Sequence, residues 1–188
     1  MFVRSLSLGV AAAALLVGGA QAADLIIPTT PQPIYEAAGF NWDGLYAGVE
    51  VGGLFNGTPG ITGLTAGETQ GVIGGIVGVN FTVADPIILG LEVQGDYVWG
   101  NNDAGLFLAL ARVGAVVTDN VLVYAAGGFG VKTQSGNSDG VYALGAGVDF
   151  AVSDAVSVRG EVLGLGDYTA NSDFFQSAKA TVGVFYHF

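Results

Sequence analysis

The feature that most limits the fold of this sequence is a regular alternation of apolar residues with small or polar ones. Successive side chains of a β-strand point to opposite faces, so an apolar residue at every second position builds one apolar face. Eight segments after residue 40 have this pattern. Each is about as long as a strand that crosses a bilayer at a tilt. The pattern predicts an all-β protein, an eight-stranded antiparallel up-and-down transmembrane β-barrel.

The composition is that of a membrane protein without membrane-spanning helices. Hydrophobic residues make up 51% of the chain and charged residues 11%, against roughly 25% charged residues in a soluble domain. The apolar runs after residue 22 are nevertheless interrupted by charge, as by Glu92 and Asp96, so none reaches the length of a spanning helix. There are no cysteines, which excludes disulfides and thiolate metal sites. The net charge of −11 argues against nucleic acid as a partner.

The first residues have the pattern of a secretory signal peptide. Arg4 precedes an apolar run over residues 8–20, and Ala20-Gln21-Ala22 is a small-x-small cleavage site. The run is shorter than the roughly 20 residues that a membrane anchor requires. We therefore predict a signal peptide over residues 1–22, a periplasmic N-terminal segment over 23–39 and an outer-membrane barrel over 40–188.

The connections between the alternating segments are of two kinds. Residues 82–86, 118–120 and 153–155 are tight turn sequences, whereas residues 56–69, 100–105, 133–139 and 166–173 are longer and polar. Short periplasmic turns and longer external loops are the asymmetry of outer-membrane barrels. Aromatic residues of the apolar stripes lie near the strand ends, as in the two interfacial girdles of such barrels. The turn-side girdle comprises Phe81, Phe150, Tyr186 and Phe188.

Charge distinguishes the two faces, because a soluble barrel would show the same alternation inverted and would coat its polar face with ions. Here the non-stripe positions are rich in glycine and carry few charges, which include every cation except Arg4. Such a face suits a narrow interior where ions must pair. The predicted lumen charge network comprises Glu50, Glu92, Asp96, Arg112, Lys132, Asp149, Arg159, Glu161 and Lys179.

Specific ion pairs follow from the predicted depth of these residues. Glu92 lies at a similar depth to Arg112, and Asp149 to Arg159. Lys179 is expected to reach Glu161 or Glu50 across the barrel. The sequence therefore predicts a salt-bridged lumen and not an open channel.

Two motifs carry a resemblance to a known family. The ending "TVGVFYHF", with Thr181, Gly183, Tyr186 and Phe188 at the defining positions, resembles the C-terminal signal by which bacterial outer-membrane proteins are recognised for assembly. The stretch "FNWDGLYAGVEVGG" resembles the first strand of small porin-family proteins of Gram-negative outer membranes, of the OmpA-like barrel type. The resemblance implies location in the outer membrane. It also implies contact with lipid and lipopolysaccharide, and assembly by the barrel assembly machinery through the last strand.

Candidate catalytic and metal-binding residues are few. His187 is the only histidine, and its predicted position at the periplasmic rim separates it from Ser177, so that a base and a nucleophile cannot meet. Loop carboxylates, including Asp103 and Asp139, could collect divalent cations, but a solvated surface accounts for them. We predict that the protein is not an enzyme and has no cofactor and no metal site.

The predicted function is structural: a barrel that maintains the envelope, with a largely plugged lumen and at most a small conductance. One alternative is a general diffusion porin for small solutes. Another is a surface binding protein, for example for haem, although histidine is scarce and the loops are short. The sequence predicts no specific ligand and no oligomeric state.

Overall fold

The protein, seen in a computed structural model, is described over residues 39–56, 69–100, 103–134, 137–168 and 174–188. The predicted signal peptide and residues 23–38 of the predicted periplasmic segment lie outside the described residues. Eight strands follow one another along the chain: β1 (Gly44–Asn56), β2 (Thr69–Ala84), β3 (Ile87–Trp99), β4 (Ala104–Thr118), β5 (Val121–Gln134), β6 (Asn137–Ser153), β7 (Val156–Asp167) and β8 (Ser177–His187).

The strands form one closed antiparallel barrel in which each pairs with its neighbours in sequence. Closure is made by β1 and β8, which pair from Tyr46 with His187 to Asn56 with Ser177. The predicted eight-stranded up-and-down barrel is confirmed. Over the described ranges, no helix is long and apolar enough to cross a bilayer.

The predicted alternation sets which side chains face outward. Val77, Leu91 and Val182 are 60%, 59% and 60% exposed, and they belong to three different predicted stripes. Their sequence neighbours on the other parity, such as Gly78 and Glu92, are buried inside the barrel. The outer surface is therefore an apolar belt, and the polar groups face the bore.

At one end of the barrel, three connections between strands are two-residue turns: Asp85–Pro86, Asp119–Asn120 and Asp154–Ala155. A β-bulge precedes each of them, in the last residues of β2, β4 and β6. We call this end of the barrel the turn side and the opposite end the loop side. One predicted loop is shorter than expected, because β5 and β6 remain paired as far as Gln134 and Asn137. Residues 133–139 are thus mostly strand.

The bore is filled by side chains in three layers. The loop-side apolar layer, inside the bore, comprises Leu54, Val98, Leu106, Val141 and Leu165. The ionic layer in the middle holds most of the predicted charge network. The aromatic layer on the turn side comprises Phe40, Trp42, Tyr46, Phe185 and His187.

Candidate functional site

The centre of the ionic layer is a group of two arginines and two carboxylates, which we call the arginine cluster: Arg112, Arg159, Glu92 and Asp149. Two nitrogens of Arg159 donate hydrogen bonds to Asp149, at 2.6 Å from Nε to Oδ1 and 3.0 Å from Nη2 to Oδ2. Its Nη1 donates to Glu92 at 2.6 Å. Arg112 contacts the same two carboxylates at 3.0 and 2.9 Å. Each ion therefore has two oppositely charged partners, which offsets the cost of its burial.

Aromatic rings enclose the arginine cluster. The Arg112 guanidinium lies 3.7 Å from the ring centroid of Tyr124, and that of Arg159 lies 4.0 Å from the centroid of Phe185. The Tyr46 hydroxyl donates to Glu92 at 2.6 Å and accepts from Arg112 at 2.6 Å. These contacts add cation–π attraction and keep water from the ions, which strengthens the ion pairs.

Glycine makes room for the two tyrosines. A side chain at Gly78 would collide with the hydroxyl end of Tyr46, and one at Gly147 would collide with that of Tyr124. The hydroxyl end of each ring thus lies directly against the wall of a bore only wide enough to be filled by side chains. Glycine at these two inner positions permits this close approach.

A second group, the lysine cluster, consists of Lys179, Glu50 and Asp96. The Nζ atom of Lys179 donates to Glu50 and, at 2.5 Å, to Asp96. The other oxygen of Glu50 accepts a hydrogen bond from Thr181 at 2.6 Å. This cluster therefore places two carboxylates on one cation.

Gln94 joins the two clusters. Its amide nitrogen donates to Glu92 at 2.7 Å and to Glu161 at 2.9 Å, while its amide oxygen accepts from Lys179 at 2.8 Å. Glu161 also accepts from the Tyr124 hydroxyl at 2.7 Å. Of the two alternative partners predicted for Lys179, Glu161 or Glu50, the structure pairs it with Glu50, and Glu161 makes no ion pair within the described residues. Lys179 also extends to Asp96 of β3.

The turn side of the bore is crossed by residues 39–43, which we call the strap. Its Phe40 amide donates to the Asp119 carbonyl in the β4–β5 turn at 3.2 Å, although β5 lies on the opposite side of the barrel from β1. Trp42 is buried against Ile88 and Leu122, and its carbonyl accepts from Asn80 at 3.1 Å. The strap therefore closes the turn-side mouth with aromatic rings.

His187 lies in this aromatic layer, at the turn side as predicted. Its Nε2 is 3.0 Å from the Ser157 hydroxyl, and its ring stacks on Tyr46. Ser177, at the far end of β8, pairs with Asn56 and Leu165 on the loop side. Both Ser157 and His187 are buried, so the pair is enclosed by the layer that the strap covers.

Lys132 is the predicted network member that the structure separates from the others. It lies near the loop-side end of β5, opposite Leu106 on one side and Asp139 on the other. It is half-buried beside a small cavity next to the loop-side apolar layer. In the part of the chain that the structure describes, Lys132 forms no ion pair. Lys132 lies at an inner position of β5, but the loop-side end of β5 extends beyond the ionic layer.

The four residues of the predicted assembly signal lie on both faces of β8. Thr181 and Gly183 face the bore, where Thr181 binds Glu50, whereas Tyr186 and Phe188 are 52% and 77% exposed. The two outer rings pack edge to face, with centroids 5.1 Å apart. The outward pair therefore belongs to the turn-side aromatic girdle.

The uncharged residues that complete the site were not predicted from the sequence. They share the inner parity of the charged residues, which was the available signal, and they are Tyr46, Tyr124, Gln94 and Phe185. Among the described residues, no group of three or more histidine, aspartate or glutamate side chains is arranged to hold a metal ion.

Solved structures with a similar fold are outer-membrane barrels. Ail, the attachment invasion locus protein of Yersinia pestis, aligns with a TM-score of 0.56 at 11% identity, covering 78% of this chain and 97% of Ail. The N-terminal β-barrel domain of Pseudomonas aeruginosa OprF gives 0.52 at 13% identity, covering 76% and 97%. Neisserial surface protein A gives 0.50 at 12% identity, covering 77% and 97%. At these identities the similarity concerns the fold.

Sequence comparison adds no closer relationship. No protein-family model matches the chain, and no curated protein matches it. Membership of the porin family therefore stays a prediction.

Proposed function

We propose that this protein is a structural component of a bacterial outer membrane, with a sealed lumen and at most a small conductance. The observation that carries the proposal is the filling of the bore by three successive layers, each made by a different kind of interaction. A bore blocked by apolar packing, ion pairs and aromatic rings offers no continuous water path.

Membrane residence is supported by the exterior of the barrel. Large apolar side chains exposed on all eight strands would form an extended apolar patch in water, which soluble proteins avoid. In a bilayer the same surface faces acyl chains, and the aromatic girdles lie at the headgroup level. The proposed surroundings are outer-membrane lipid and lipopolysaccharide, with insertion by the barrel assembly machinery acting on β8.

The other functions considered from the sequence have less support. A diffusion porin needs a water-filled bore, and here eight charged side chains of the ionic layer are almost wholly buried. A haem-binding surface protein would use ligands near the loops, whereas the single histidine, His187, lies at the turn side under the strap. Its enclosure with Ser157 also supports a protein that is not an enzyme.

Bilayer conductance of the refolded protein tests the sealed lumen. We expect only brief, small currents, because no layer of the bore leaves a continuous water path. Correct folding is checked beforehand by anomalous migration on unheated gels and by a β-rich circular dichroism spectrum. A steady, large current from folded protein would instead establish the diffusion porin.

Assembly through β8 is tested by removing one aromatic ring of the predicted signal. Phe188→Ala should leave exported protein that accumulates in the periplasm, because the terminal ring of the signal is lost. Phe150→Ala is the matched control, since Phe150 is an exposed ring of the same girdle outside the motif. Equal outer-membrane levels of the two variants would contradict recognition through Phe188.

A further inference from the structure

The ionic layer contains more buried carboxylates than buried cations. Five carboxylates and three cations of the layer are each more than nine-tenths buried, a formal excess of two negative charges. Uncompensated charge in such a place is costly and is normally removed by pairing or by protonation. The carboxylates are Glu50, Glu92, Asp96, Asp149 and Glu161, and the cations are Arg112, Arg159 and Lys179.

The arginine cluster is balanced, so the excess belongs to Glu161 and to the lysine cluster. Both oxygens of Glu161 accept hydrogen bonds from neutral donors, Gln94 and Tyr124, so neither lacks a partner. Asp96 differs, because its Oδ1 has no hydrogen-bond partner within the described residues. Its Oδ2 shares the Lys179 ammonium with Glu50, whose other oxygen accepts a hydrogen bond from Thr181.

The β2 backbone closes one side of the Asp96 carboxyl group. A Cβ atom placed on Gly74 of β2 would overlap Asp96 Oδ1, so this oxygen lies directly against the β2 backbone. Its register partner on β4 is Leu106, which carries no charge. The charged groups facing it are Lys179 from β8 and Glu50 from β1, with Glu161 of β7 further away beyond Gln94.

We infer that Asp96 holds a proton, which makes the lysine cluster a buried proton-binding site that senses pH. Two buried carboxyl groups that share one ammonium cannot both ionise at low cost. With the proton in place, one Lys179 ammonium balances one carboxylate. When the proton leaves, a second negative charge appears inside the sealed bore, and the ionic layer loosens and admits water.

The direction of the pH effect follows from proton linkage. The folded barrel retains a proton that an unfolded chain releases to solvent, so stability falls as pH rises through the range in which the site ionises. This inference concerns the charge balance of the bore and does not depend on the role of the protein in the envelope.

The test compares the refolded full chain with two variants at about pH 5 and about pH 9. Infrared spectra in heavy water should show the carbonyl stretch of a protonated carboxyl group at the acidic pH and its loss at the alkaline pH. Asp96→Asn should lack this change and keep the same urea midpoint at both pH values. Glu161→Gln is the matched control, because it removes a buried carboxylate outside the pair, and it should keep the change.

Further outcomes decide the inference. If Asp96→Asn does not refold, Glu50→Gln replaces it and should abolish the same band, since Asp96 then no longer shares the Lys179 ammonium with a second carboxylate and ionises at both pH values. Retention of the band in the substituted variant, or its loss in Glu161→Gln alone, would overturn the inference. So would its disappearance on raising sodium or potassium at constant acidic pH, which would identify the bound species as a metal cation.

Discussion

The arginine cluster and the lysine cluster lie in the same layer of one bore, yet they compensate buried charge in different ways. In the arginine cluster two cations face two carboxylates, and the planar guanidinium of Arg159 matches both oxygens of Asp149. In the lysine cluster a single ammonium, Lys179, faces Glu50 and Asp96. The arginine cluster has a fixed geometry and a balanced charge. The charge of the lysine cluster changes when its proton is released.

The difference follows from the chemistry of the two cations. Arg presents several donors in a fixed plane and stays charged, which suits paired recognition of carboxylates. Lys is a point charge on a flexible stem, so it can be shared between two acids without fixing either. The comparison indicates that the arginine cluster holds the barrel together and that the lysine cluster responds to its environment.

The largest effect is expected from breaking the arginine cluster. Arg159→Met keeps much of the apolar volume but leaves Asp149 and Glu92 sharing Arg112 alone, and should lower the free energy of unfolding by about 4 kcal/mol. Urea unfolding of the refolded protein in detergent measures the change. A loss no larger than that of the lysine-cluster variant below would erase the proposed distinction between the clusters.

A smaller effect is expected from the lysine cluster. Lys179→Met should cost about 3 kcal/mol, because one of the two stranded carboxyl groups can take up a further proton. Adding Asp96→Asn should recover part of this loss, since it removes one of the two acids. If the double variant were less stable than Lys179→Met, the two carboxyl groups would not be repelling each other.

The smallest loss of stability is expected from the aromatic rings that enclose the arginine cluster. Tyr46→Phe removes a hydroxyl that bonds both Glu92 and Arg112, and should cost about 1.5 kcal/mol. Lys132→Met is the control, because this cation lies at the loop-side mouth without an ion pair among the described residues, and its midpoint should stay near that of the parent protein. A comparable loss in the control would show that removing any cation destabilises the barrel.

The sequence predicted which face each strand residue occupies but not all of the pairings inside the bore. Alternation placed Glu92, Arg112, Asp149 and Arg159 on one face, because parity follows directly from strand geometry, and the scarcity of charge on that face identified it as the inside. The reach of Lys179 to Asp96 could not be read from parity, since contacts across a bore depend on strand stagger and on how side chains fill the space. The strap was also not predicted, because its Phe40 and Trp42 alternate with polar residues as in a strand and its partner, the β4–β5 turn, is distant in sequence.

The strap and β3 place the two tryptophans of the chain in contrasting surroundings. Trp42 is buried beneath the turn-side mouth, whereas Trp99 lies outside near the loop-side end of β3 and is 41% exposed. Intrinsic fluorescence should therefore report two separate events. A quencher carried on lipid chains should quench Trp99 when the barrel enters a bilayer, and Trp42 should change its emission when the strap packs against Ile88 and Leu122.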